Sequence, residues 1–182
     1  MNRYHRRDIL KMGAAALVGS MLPFPALAAI SNSSHSPRTL AFFNTHTAES
    51  VEECYFKDGA YQPDALDRSN YVLRDHRCDA ITSIDPKLLD VLHAVKSRIG
   101  RDEPFHVISG YRTPKTNELL RRSSSGVAKT SLHIVGKAVD IRLPGYCTKQ
   151  LRHVCIRMRS GGVGYYPKSD FVHVDTGTIR TW

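Results

Sequence analysis

The segment DPKLLDVLHAVKSRIG, Asp85 to Gly100, constrains the fold more than any other, because both ends of a helix are written into it. Asp85 is a capping residue type, Pro86 suits the first helical position, and Gly100 suits a left-handed stop. Leu88, Leu89, Leu92, Val95 and Ile99 recur at spacings of three and four and form one apolar stripe. Such a helix must lay its stripe against another layer. The layer on offer is a set of short strands rather than a second long helix.

Those strands are read from alternation and turn residues. Thr39 to Thr47, TLAFFNTHT, reads as a strand, and VEECYFKDGAYQ as two short strands around a Lys57-Asp58-Gly59 turn. Asp64 to His76 is helix-like with weak periodicity, behind Pro63. Phe105 to Arg112, FHVISGYR, is a strand running into a turn at Gly110. Thr113 caps a helix that continues through Arg122. RSSSGVAKTS is a flexible polar loop and VDIRL a strand. TKQLRHVCIRMRS is a helix with Leu151, Val154, Cys155 and Met158 inward. GGVGYYP and FVHVDTG are strands joined around Lys168-Ser169. The βαβ rhythm of a parallel sheet is missing. The predicted class is α+β: a small antiparallel sheet with helices at its side and end.

Residues 1–28 stand apart from this pattern. They have a basic start, an apolar run from Met12 to Leu22, and Ala26-Leu27-Ala28 as a small-residue cleavage site. The run is too short to span a bilayer. Arg6-Arg7 with Lys11 after them resembles a twin-arginine export signal; an ordinary secretory leader with two arginines is the alternative. Cleavage leaves residues 29–182 as one domain, expected in the bacterial periplasm as a monomer with no membrane span. The leader carries four Lys/Arg against one Asp, a net +3, which leaves +6 of the chain's formal +9. Nucleic acid is excluded as a partner by compartment. An acidic envelope polymer fits the charge, and so does solubility alone.

Cys54, Cys78, Cys147 and Cys155 are even in number and export favours disulfides, with Cys147–Cys155 the local pairing and Cys54–Cys78 the remainder. Free buried thiols are the alternative. No CxxC spacing supports a structural zinc–cysteine site.

Three places carry chemistry. In SLHIVGKAVD, His133 and Asp140 are seven apart and would point oppositely on one straight strand. Gly136 lets the chain bend so that they can meet. In DFVHVD, His173 and Asp175 share a strand face. Asp170 opposes them by parity but lies where the loop could turn it inward, as a general base beside a metal. In SGYR, Arg112 follows a strand at a glycine turn and is suited to gripping a carboxylate or carbonyl oxygen. Each place also has a bland reading: an ordinary turn, solvated strand-edge groups, a surface ion pair.

Their conjunction is specific. SGYR, SxHxxGxAxD and DxxH in that order resemble the LAS metallopeptidases, the group of lysostaphin-type enzymes and D-alanyl-D-alanine peptidases. The likeness runs from about Ile84 to Trp182. It implies a LAS/hedgehog-like zinc peptidase core, with Zn2+ held by His133, Asp140 and His173 and an open fourth position. It implies Asp170 as general base and Arg112 as substrate or oxyanion grip. Tyr111, Ser131 and Tyr165 are lesser substrate-binding candidates. Tyr166 is another, and Asp175 is a candidate for orienting a ligand. Phe171 stands where some relatives carry a second histidine. The implied activity is hydrolysis of peptide crosslinks in peptidoglycan, at D-alanine–diaminopimelate or diaminopimelate–diaminopimelate bonds. A carboxypeptidase trimming stem peptides and a non-cutting murein-binding module are the alternatives. His35, His46, His76, His106 and His153 fall outside the motifs and read as structural or surface.

Overall fold

The computed structural model describes residues 36–124 and 126–182. The export signal and His35 lie outside the described residues. The strands are β1 (Arg38–Asn44), β2 (Ser50–Lys57), β3 (Ala60–Tyr61), β4 (Phe105–Ser109), β5 (Ala138–Arg142), β6 (Gly162–Tyr166), β7 (Phe171–Asp175) and β8 (Arg180–Thr181). The helices are α1 (Pro63–Val72), α2 (Pro86–Ile99), α3 (Pro114–Ser123) and α4 (Thr148–Met158). The strands form one sheet in the order β3-β2-β1-β4-β5-β7-β6-β8. The predicted α+β class holds, with a larger sheet than expected. It is antiparallel except at β1–β4 and β6–β8, which pair in parallel.

Helix α2 forms as its sequence demands. The Asp85 side chain accepts from the Lys87 backbone N–H, and Gly100 closes the helix at φ 70°. Leu88, Leu89, Leu92 and Val95 are fully buried. This stripe packs on β1 and α4, while α1 covers β2 and α4 covers β6 and β7. Burial of one such side chain stabilises the fold by roughly 1.5–3 kcal/mol. The inward positions of the strands, among them Phe105, Val107, Val139, Ile141, Val172 and Val174, complete the core.

Two elements end earlier than their sequence suggests, each for a polar reason. Strand β1 stops at Asn44 because its side-chain oxygen accepts from the backbone N–H of His46 and Thr47, which turns the chain. Helix α1 stops at Val72 because the next residues are claimed elsewhere. The Leu73 carbonyl accepts from Tyr111 N–H, and Asp75 bridges to Ala80.

The disulfide expectation is corrected: all four cysteines are free. Cys147 caps α4 and Cys155 lies eight residues along it, about 12 Å by helical rise, beyond the roughly 7 Å a disulfide allows. Cys155 faces the core, where burial pushes its thiol up to about 12.

Candidate metal centre

The centre of the site is the register of two strands. Asp140 on β5 sits directly opposite His173 on β7. Their neighbours Val139, Ile141, Val172 and Val174 point into the core, so alternation sends Asp140 and His173 to the other face. His133 arrives from a 3-10 turn, Leu132–Val135, whose start is capped by Ser131 Oγ. Gly136 ends that turn at φ 65°, and a Cβ there would lie 2.4 Å from the Ser83 carbonyl oxygen. The bend that brings His133 over Asp140 therefore requires glycine, on conformational and steric grounds.

The SGYR segment locks onto this turn. His133 Nδ1–H donates to the Gly110 carbonyl at 2.6 Å, and Arg112 N–H donates to the His133 carbonyl at 3.2 Å. Gly110 must also be glycine, because a Cβ would meet the Leu73 carbonyl oxygen at 2.2 Å. A carbonyl can only accept, so His133 carries its proton on Nδ1 and turns a lone pair on Nε2 toward Asp140. His173 is fixed in the mirror sense. Its Nε2–H donates to Asp175 Oδ2 at 3.0 Å, leaving the Nδ1 lone pair free to face inward.

Three acceptor atoms thus converge. His173 Nδ1 lies 2.9 Å from Asp140 Oδ1 and 3.1 Å from His133 Nε2, and His133 Nε2 lies 3.3 Å from Asp140 Oδ1. All three residues are buried. Donors on a tetrahedral ion at 2.0–2.1 Å stand about 3.3–3.4 Å apart, so the triangle fits one small divalent cation after a slight opening. Two imidazole nitrogens and a carboxylate oxygen this close, all buried, call for positive charge between them, and one small cation can supply it to all three at once. The surrounding groups agree: each imidazole gives its other N–H to a carbonyl or carboxylate, the usual support of metal-bound histidine.

Charge is balanced locally. Burial pushes His133 below its ordinary value and keeps it neutral at pH 7. Burial acts the same way on His173 but is outweighed by the carboxylates of Asp140 and Asp175 on either side of the ring, which raise it and favour positive charge at Nδ1, where a bound cation would stand. Burial would raise Asp140, yet His133, His173 and Arg112 hold it well below the usual carboxylate range. Asp175 is fully buried and accepts from Gly162 N–H, Gly177 N–H and Arg180 as well as His173.

The cleft above the triangle has a volume of about 430 Å³. Arg112 and Ser131 line it, as do Tyr166 and Phe171, whose rings stack at 4.6 Å. Arg112 is buried, with Nε donating to Ser109 Oγ at 2.7 Å and Nη2 donating to Asp140 Oδ2. Three expected residues are not brought to the cleft. Tyr111 packs against the core, and Tyr165 lines a different cavity. Asp170 shares that second cavity. It takes φ 52°, so the backbone does turn there, but toward α4, where Thr148 Oγ1 donates to its Oδ1. Arg142 lies 3.9 Å from its other oxygen. The parity that opposes Asp170 to His173 prevails in the direction its side chain takes. Sequence reasoning also passed over His46, Arg77 and Trp182, which line the cleft. Nothing in their local spacing marks them.

The α+β sheet and its buried His-Asp-His donor set define a metal-dependent peptidase site. Residues 32–182 match the family model Peptidase_M15_2, described as peptidoglycan L,D-endopeptidase MepK, and the chain belongs to that family. It is 43% identical over 178 residues to the peptidoglycan L,D-endopeptidase MepK of Escherichia coli K12, covering 98% of this chain and 97% of that one. The Shigella flexneri protein of the same name matches equally. A Haemophilus influenzae relative, named probable peptidoglycan L,D-endopeptidase MepK, is 39% identical over 179 residues, 98% of this chain and 95% of its own.

Proposed function

We propose that this chain is a zinc-dependent endopeptidase that cuts peptide crosslinks in peptidoglycan, and that it cuts the diaminopimelate–diaminopimelate crosslink. The observation that carries the reading is the convergence of His133 Nε2, Asp140 Oδ1 and His173 Nδ1 within 3.3 Å. The relatives' name narrows the bond. An L,D bond joins an L-centre carbonyl to a D-centre amine, which is the link between two diaminopimelates; the link from D-alanine is D,D.

His133, Asp140 and His173 would hold the ion. Zinc supplies Lewis acidity toward the scissile carbonyl and the attacking water. Gly110 and Asp175 orient the two imidazoles by accepting their outer N–H groups. Arg112 has its Nε–H and one Nη2–H committed, and its other N–H donors remain for a substrate oxygen beside the ligands. Its pairing with Asp140 pre-sets the guanidinium, so little freedom is lost when substrate binds. Buried Val139 and Ile141 keep β5 rigid beneath the reacting bond.

The same reading assigns residues 1–28 as a twin-arginine export signal and the periplasm as the working compartment. Among the described residues no helix is long and apolar enough to cross a membrane. The test is digestion of purified crosslinked muropeptides, with products identified by mass spectrometry. Conversion of diaminopimelate-linked dimers to monomers supports the proposal. Release of terminal D-alanine alone would support the carboxypeptidase reading, and binding without any product the binding-module reading.

A further inference from the structure

Strand order sets a scale across the cleft. His46 follows β1, Ser109 ends β4, Asp140 is on β5, His173 on β7, Tyr166 on β6, and Trp182 follows β8. All of them line the same cavity. Neighbouring strands lie about 4.8 Å apart, so the β1 end of the cleft lies two strand spacings, about 10 Å, from β5, whereas at the other end the Trp182 ring stands 5.2 Å from the His173 ring.

The two ends differ in chemistry. The Trp182 end is aromatic: Trp182 Nε1–H donates to Tyr166 Oη at 3.0 Å, Tyr166 stacks on Phe171, and Arg180 there lies over the Trp182 ring with its guanidinium already paired to Asp175. The β1 end is cationic. Arg77 lines it, is exposed, and its guanidinium has no hydrogen-bond or ion-pair partner among the described residues. Asp140 is the one carboxylate in the lining, already engaged by Arg112 and two imidazoles.

The base of Arg77 is nonetheless fixed. Its backbone N–H donates to Asp75 Oδ1 at 3.1 Å, and Asp75 Oδ2 accepts from Thr113 at the start of α3. Its neighbour His76 stacks on His46 at 3.9 Å and 12°. His46 in turn donates Nε2–H to the Ile108 carbonyl at 3.0 Å. A ring stack thus ties the Arg77 loop to β4, while the guanidinium is left without a partner at the mouth of a cleft that has no spare acid.

We propose that Arg77 is the carboxylate subsite of this cleft and takes the free carboxylate at the far end of the donor diaminopimelate side chain. The inference rests on the crosslink reading above. The donor residue gives one carbonyl to the bond that is cut. Its other end carries a carboxylate beyond three methylenes, on the order of 6 Å away. The arginine side chain spans the remainder of the roughly 10 Å. D-Alanine has no such group, so this contact selects the L,D crosslink over the D,D one.

The test uses two diaminopimelate-linked dimers that differ only in this carboxylate, free in one and a carboxamide in the other. Wild type is expected to have a KM about five- to tenfold lower for the free dimer. Arg77→Ala raises the KM for the free dimer to that for the amidated one, and Arg77→Lys falls between. Thermal unfolding confirms that the variants fold. Equal KM values for the two dimers with wild type would overturn the subsite, and so would an Arg77→Ala loss that is the same for both. Titration calorimetry with the same dimers reads the preference even where no bond is cut. Failure to cut then counts against the crosslink reading, and equal affinities count against Arg77.

Discussion

Asp175 Oδ2 accepts from His173 Nε2 at 3.0 Å and so turns the opposite ring nitrogen, Nδ1, to within 2.9 Å of Asp140 Oδ1. A fully buried carboxylate two residues along β7 thereby sets both the tautomer and the angle of a metal-binding imidazole. Asp175→Asn keeps the shape but replaces an ionised acceptor with a neutral amide. Metal affinity should fall roughly 10- to 100-fold, measured by competition with a chromophoric chelator. An unchanged affinity would mean that the ring is held by packing alone.

Gly136 makes a second, steric prediction. Gly136→Ala forces a side chain into the left-handed region and drives its Cβ toward the Ser83 carbonyl oxygen. Strain and overpacking together should cost about 2–4 kcal/mol in urea unfolding. The same change displaces His133, so bound metal should decline with stability. A variant as stable as wild type would show that the bend tolerates a side chain.

Asp170→Ala separates this site from a simpler reading of its motif. The carboxylate bonds to Thr148 on the α4 side and lines the second cavity. The variant should keep its metal and cut crosslinks at a rate within about threefold of wild type, whereas loss of a general base costs 10²–10⁴. A loss of that size would return Asp170 to the chemistry.

The reach of sequence reasoning follows from the range of the forces. Helix α2 was legible because its cap, stripe and stop are all local. The His133–Asp140 pairing was legible because only a glycine bend could reverse strand parity, and Gly136 stands at the required place. The direction of Asp170 was not, since a bend at a strand's start can go either way and Thr148, 22 residues distant, decides it. Arg77 was invisible for a different reason. An exposed arginine in a loop carries no periodicity, and its meaning comes from strand order. The cysteine count suggested bridges that helical geometry forbids between Cys147 and Cys155.

Asp75 ties stability to pH. Burial would raise its carboxyl, but hydrogen bonds from Thr116, Thr113 and the Arg77 backbone outweigh burial and hold it below the ordinary value. A depressed carboxylate contributes fully above its unfolded pKa of about 3.9, and the contribution fades as pH falls through the lower folded value. Asp75→Asn should therefore cost about 1–3 kcal/mol at pH 7. The gap to wild type should narrow below pH 4 in urea titrations. A gap independent of pH would remove charge from the explanation.

The most direct measurement is metal content after exhaustive dialysis, paired with cutting of a diaminopimelate-linked dimer. Wild type should retain one zinc per chain and cut the dimer; His133→Ala, still folded, should retain almost none and cut at least about a thousandfold more slowly. Folded wild type that cuts at full rate without a stoichiometric metal ion would contradict the account at its root.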